Sequence, residues 1–344
     1  MEAPVYDTKG LLGRRSVIAV GALMLALVAV AVTPGLMGPR LHRAVDELGR
    51  ADPAWLWLAA LGFLASLAGS AGAWRRSVML AGGRVGLLDA NARYGIGSLV
   101  NTFVPARAGD AVRLALFART VEGEGRVWST GGAFATVGIA RAVGLAVLVV
   151  CGAAIGALPL WPLLVVGALV VGAGALAWRL RSSQPHGRVS HVLDAFRALG
   201  REPLAAVRIL GWILLATAGR VGSAAAVAAS LGVHSPLVAA IIVVPALDLA
   251  GQLPLTPGNV GIASGAVAVA LQAHGVGMTQ ALSTGIAFHA VETGVSLLYG
   301  LVGLAASTHA GSGGARRLVL VGAAASACMM VAAAAGATFF PDLV

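Results

Sequence analysis

The chain has 344 residues, 58% hydrophobic and 11% charged, with a net charge of +10 and a mean hydropathy of +0.88. A soluble domain carries about 25% charged residues, so this chain lacks the polar surface to cover a globule in water, and its composition predicts a polytopic membrane protein. The positive charge is almost all arginine; with no soluble basic face on which to bind nucleic acid, it is read as topogenic, holding loops on the cytoplasmic side where anionic lipid headgroups also lie.

In chain order, residues 17–33 form the first expected span, after Arg14 and Arg15. The run is longer than a signal-peptide core and has no clear A-x-A site, so it reads as a retained helix. Residues 55–74 form the second span, with Trp55 and Trp74 as interfacial anchors. Residues 90–119 break the pattern: two half-length apolar pieces flank Pro105-Ala-Arg-Ala-Gly-Asp110, and neither reaches the roughly 20 residues a span needs. Spans at 127–157 and 160–178 follow. The arginine-rich link 185–206 has Val189, Val192, Leu193, Phe196 and Leu199 at helical spacing, as in an amphipathic helix lying on the cytoplasmic surface. A span at 207–231 precedes a second broken region, 237–273, whose halves join through Pro254-Leu-Thr-Pro-Gly-Asn259. Spans at 279–306 and 318–340 close the chain.

The basic loops near 75–93, 179–208 and Arg316-Arg317, set against the uncharged links near 157–160 and 232–236, place the N-terminus in the cytoplasm. The first broken hairpin then enters from the cytoplasm and the second from outside. Each half reads span, broken hairpin, span, span. The expected fold is an all-α polytopic membrane protein, an inverted repeat with about seven full transmembrane helices and two re-entrant helical hairpins. The tips share Pro105-x-x-x-Gly109 and Pro257-x-x-x-Gly261.

A proline ends the helix before it, and a glycine permits close approach. The next half-helix then begins inside the membrane with unpaired amides, tolerated only where protein or water lines the site. Its N-terminus favours an anion, and Arg107 and Arg113 add forked donors suited to phosphate. Asp110 either orients one of these arginines or caps the second half-helix. Arg141, Arg220, Asp248, His289 and Glu292 also fall within apolar segments; an isolated charge at the bilayer centre costs at least about 2.5–3.5 kcal/mol. An Asp248–Arg220 pair and an Arg141–Glu292 pair are expected. His289 and Glu292 share a helix face; together with Asp248 they are candidates for a coupling role, and His289 reads either as a proton-titrating group or as a packing histidine. Gly152/Gly156 and Gly261/Gly265 read as helix-packing pairs. Cys151 and Cys328 lie in apolar segments as small hydrophobes, and the histidines have no metal-ligand spacing. No metal, cofactor or ATP-hydrolysis motif is found.

The stretch "NTFVPARAGDAVRLALFAR" resembles the signature of the lysylphosphatidylglycerol synthase transmembrane-domain family, N-x-x-x-P-x-R-x-G-D-x-x-R, on Asn101, Pro105, Arg107, Gly109, Asp110 and Arg113. "PLTPGNVGIASGAV" is similar to the family's second run, P-x-T-P-G-G-x-G-x-x-E, on Pro254, Thr256, Pro257, Gly258 and Gly261. The resemblance covers about residues 10–310. Asn259 replaces a usual glycine, Ser264 stands near a usual glutamate, Ala140 precedes Arg141 where Glu-Arg is common, and His289 sits near an expected arginine.

The family's best-understood members fuse this region to an aminoacyl-transferase domain and move the aminoacylated lipid across the bilayer. The resemblance thus implies a stand-alone member without that domain, which acts as a flippase or scramblase for a phospholipid or other phosphate-bearing lipid in the cytoplasmic membrane. The lipid would contact the two tips, including Asn259, together with Arg141 and Arg220. The alternative is an integral-membrane enzyme, or a lipid-binding partner of a separate lipid-modifying enzyme, acting on a lipid-linked substrate; its DxD-like or paired-carboxylate motif is not found, so no enzyme activity is expected. Self-association remains open.

Overall fold

Proline and small residues set the helix boundaries and crossings of this chain. The structure is a computed structural model that describes residues 49–103, 108–123, 125–158, 201–250 and 260–307, with isolated positions between 160 and 175. The expected spans 17–33 and 318–340, most of 160–178, and the surface segment as far as residue 200 lie outside the described residues, as do Pro105, Arg107 and Thr256 to Asn259.

Eight helices and no strands occur among the described residues: α1 Pro53–Leu80, α2 Leu87–Phe103, α3 Ala108–Ala118, α4 Arg126–Ala154, α5 Pro203–Ser230, α6 Pro236–Ala250, α7 Val260–Gln272 and α8 Met278–Ser307. Four of them, α1, α4, α5 and α8, are long and apolar enough to cross a membrane. The other four fall in the two regions where the sequence is broken. α5 begins at Pro203, inside the segment assigned above to a surface helix. Proline lacks only an amide that a first turn leaves unpaired, and its φ is already helical, so the spanning helix takes residues 203–206.

α1 and α5 are both 28 residues long and both begin at a proline preceded by an acid. The Asp52 side chain caps α1 by accepting from the Ala54 amide at 2.9 Å, whereas Glu202 makes no such bond. The two helices run antiparallel: the Asp52 amide donates to Ser230 O at 3.1 Å, Gly62 meets Gly219 and Ser223, and Gly69 meets Trp212 and Ala216. A Cβ on Gly69 would stand 2.7 Å from Ala216 N, and one on Gly219 would stand 2.5 Å from Gly62 O. Small residues let helix backbones approach this closely in a bilayer, where close packing replaces the hydrophobic drive. Gly69→Val or Gly219→Val is therefore expected to cost about 1–3 kcal/mol as an overpacked crossing, seen as a lower unfolding temperature in detergent.

Around this pair, α1 packs on α2, α4 and α8; α2 packs on α3 and α8; and α3 packs on α4. In the second half, α5 packs on α6, α8 and α4; α6 packs on α7 and α4; and α7 packs on α8. Exchanging α1 with α5, α2 with α6, α3 with α7 and α4 with α8 carries each of these pairs onto another. The apolar core divides the same way. One cluster gathers Phe63, Trp74, Tyr94, Phe117 and Val137, with Ile209 and Ile213 lent by α5. The other gathers Val227, Val243, Leu247, Val267 and Phe288, with Ala59 lent by α1. Side chains fasten the helix ends. Gln280 donates to Leu231 O at 2.8 Å, and the two ring nitrogens of His274 lie 2.5 Å from Ala157 O and 3.0 Å from Ala270 O.

Candidate functional site

The first hairpin is drawn together at two glycines. Gly97 on α2 lies against Gly109 O and the Arg113 side chain, and Gly109 on α3 lies against Gly97 O and Asn101, so neither position has room for a Cβ. At this crossing Asn101 Oδ1 accepts from the Gly109 amide at 2.7 Å, satisfying one of the unpaired donors at the start of α3. Its amide nitrogen donates to Asp110 Oδ1 at 3.2 Å. Arg113 then closes the network. Its Nη1 donates to Asp110 Oδ1 at 2.6 Å, its Nη2 to Ser98 Oγ at 2.7 Å and its Nε to Tyr94 O at 3.4 Å, while its guanidinium carbon sits 4.0 Å from the Tyr94 ring centroid. The side chain is buried, and such an arginine is stable only when paired and bonded in this way.

Of the two roles open to Asp110, the structure has it orient Arg113, while Asn101 meets the α3 amide. Arg93 adds a second clamp, pairing with Asp89 at 2.9 Å and donating to Leu116 O at 2.5 Å. Sequence reasoning missed Tyr94 and Ser98. The signal was present: residues 94, 98 and 101 fall at i, i+4 and i+7, one polar stripe on α2.

A second cluster joins α5, α6 and α8. Arg220 lies 3.6 Å from Asp248 and 3.4 Å from Glu292. His289 Nδ1 lies 3.9 Å from Glu292 Oε2, and its Nε2 faces the Thr293 hydroxyl at 3.4 Å. The expected Asp248–Arg220 pair is present. The expected Arg141–Glu292 pair is not, because Glu292 reaches Arg220 on the neighbouring α5 instead. Arg141 stands exposed halfway along α4, with no ion pair among the described residues.

Tyr94 lies between the clusters. Arg113 stacks on its ring, and it is within electrostatic reach of Arg141 and of Arg220. Three arginines, from α3, α4 and α5, thus act electrostatically on one tyrosine. Gly261 lies in the first turn of α7; Thr256, Pro257, Gly258 and Asn259, like Pro105 and Arg107, are outside the described residues.

Membrane-length helices that carry ion pairs and, among the described residues, an arginine without one define a multi-pass helical membrane protein. The chain matches the family model for the lysylphosphatidylglycerol synthase TM region over residues 17–300 and belongs to that family. No curated protein and no solved structure matches it.

Proposed function

We propose that the protein translocates an anionic or phosphate-bearing lipid across the cytoplasmic membrane, as a flippase or scramblase. The observation that carries this reading is Arg141: a cation halfway along a membrane-length helix, without a carboxylate partner among the described residues and electrostatically coupled to Tyr94. An unpaired arginine at that depth costs about 2.5–3.5 kcal/mol even on the mildest scale, and a phosphate oxygen in transit would offset it.

The antiparallel α1–α5 pair and the exchange of packing partners favour an inverted repeat. Two oppositely inserted hairpins, α2–α3 and α6–α7, would then flank a polar path near the midplane, and the arginine-rich loops favour a cytoplasmic N-terminus. An apolar groove between α1 and α8, lined by Leu56, Trp57, Val291, Gly294, Val295 and Leu298, suits an acyl chain.

The test is reconstitution in liposomes containing fluorescent phosphatidylglycerol, phosphatidylcholine or a phosphate-linked glycolipid, with chemical quenching of the outer leaflet. Wild type is expected to expose inner-leaflet probe, and a folded Arg141→Leu variant to do so about tenfold more slowly, the equivalent of one lost charge-assisted contact. Unchanged transbilayer movement for every probe would overturn the reading.

A further inference from the structure

We propose that Glu292 and His289 together bind one exchangeable proton, and that its arrival shifts Arg220 between Glu292 on α8 and Asp248 on the second hairpin. The inference rests on the translocation reading for its consequence, but not for the site itself.

Between α5, α6 and α8 one guanidinium faces two carboxylates, all three largely buried, with side-chain exposures of 17%, 26% and 25%. Among the described residues one negative charge is left over, in a place where an uncompensated charge is costly. A single proton on Glu292, or shared with His289, removes it.

Both Arg220 contacts, at 3.6 and 3.4 Å, are loose for a charge-assisted bond, and His289 Nδ1 at 3.9 Å from Glu292 is beyond bonding range. Among the described residues, Arg220 Nε and His289 Nδ1 are enclosed with no hydrogen-bond partner, as is the hydroxyl of Ser264, a residue only 6% exposed. Ser264 packs on α8 at Gly285, one turn before His289. Buried polar groups are ordinarily bonded; Arg220 and His289 both border Glu292 with bonding capacity to spare, as a network that changes partners requires.

The surroundings are fully specified among the described residues. Arg220 comes from α5, Asp248 from α6 and Tyr94 from α2, with the Arg113–Asp110 pair of α3 and Arg141 of α4 around Tyr94. Tyr299 lies two turns further along α8 and bonds Asn91. α7 and residues 53–74 of α1 carry no titratable group.

The step is a simple proton transfer. A proton from water joins the Glu292 carboxylate or the imidazole, the Arg220–Glu292 attraction weakens, and Arg220 closes on Asp248. Because Asp248 is on α6, the first half of the second hairpin, protonation tightens that hairpin against α5; loss of the proton releases it. An inward proton gradient would thereby bias the hairpin.

Two measurements on the full chain test this. Infrared difference spectra between acidic and alkaline buffer are expected to show a protonated-carboxyl band in wild type that is lost in Glu292→Gln and shifted in His289→Asn and His289→Gln, with the amide bands reporting that each variant is folded. No pH-dependent carboxyl band, or one that survives Glu292→Gln, overturns the site. In liposomes with fluorescent phosphatidylglycerol, a gradient of about one pH unit is expected to raise the wild-type rate about threefold and to leave His289→Asn unaffected. A wild-type rate indifferent to the gradient, with the band present, overturns the coupling. The band present without translocation of any lipid upholds the proton site and sinks the transport reading alone.

Discussion

Replacing Arg220 with leucine is expected to destabilise the protein by about 3–5 kcal/mol, because it strips the cation from between two buried carboxylates. Asp248 and Glu292 approach the same guanidinium from different helices, at 3.6 and 3.4 Å. Without it, two like charges face each other where water is scarce. The chain must then protonate one carboxylate, admit water or separate α6 from α8, and each response costs stability. The measurement is the unfolding midpoint in detergent. The same substitution in an Asp248→Asn/Glu292→Gln background is expected to be far milder, since an apolar or neutral replacement of a whole buried charge cluster is often close to neutral. An equal loss in both backgrounds would show that Arg220 acts through its packing and not its charge. Arg220→Lys separates these further: it keeps the charge but loses the fork that reaches two acids at once.

How far the sequence alone leads is best seen at this cluster. The charged positions were legible, because Arg220, Asp248, His289 and Glu292 are conspicuous in apolar runs. That two short helices occupy each of the regions 90–119 and 237–273 was legible too, since neither half-length piece there is long enough to span a bilayer. The partner of Glu292 was not. Arg141 and Glu292 occupy corresponding helices, which made them a natural pair, but pairing depends on how each helix is rotated about its axis. That rotation is fixed by tertiary contacts such as Gly285 against Ser264 and Gly300 against Leu99. Linear spacing records which residues share a face, not which face meets which neighbour. The start of α5 is hidden for a different reason: Arg201 and Arg208 extend the basic pattern of the preceding link across it, while Pro203 favours a helix start at that point.

Arg113 is the second large effect, and it separates structure from transport. Its fork is committed to Asp110, Ser98 and Tyr94 O, with Tyr94 stacked beneath it. Arg113→Ala leaves Asp110 with Asn101 as its one remaining hydrogen-bond partner among the described residues, and opens a gap between α2 and α3. A loss of about 3 kcal/mol is expected, with faster hydrogen exchange at the amides of residues 108–111, where α3 begins. A double-mutant cycle with Asp110→Asn should give a coupling of about 1–3 kcal/mol, as for residues within one network. Arg113→Lys should recover the charge but not the two-pronged bonding, so its midpoint should fall between wild type and alanine. If these variants unfold like wild type yet stop lipid movement, the guanidinium must leave Asp110 during the cycle and serve the headgroup directly. If stability and transport fall together in proportion, Arg113 is the clasp that shapes the hairpin, and the headgroup is met by Arg141, which has no ion-pair partner among the described residues.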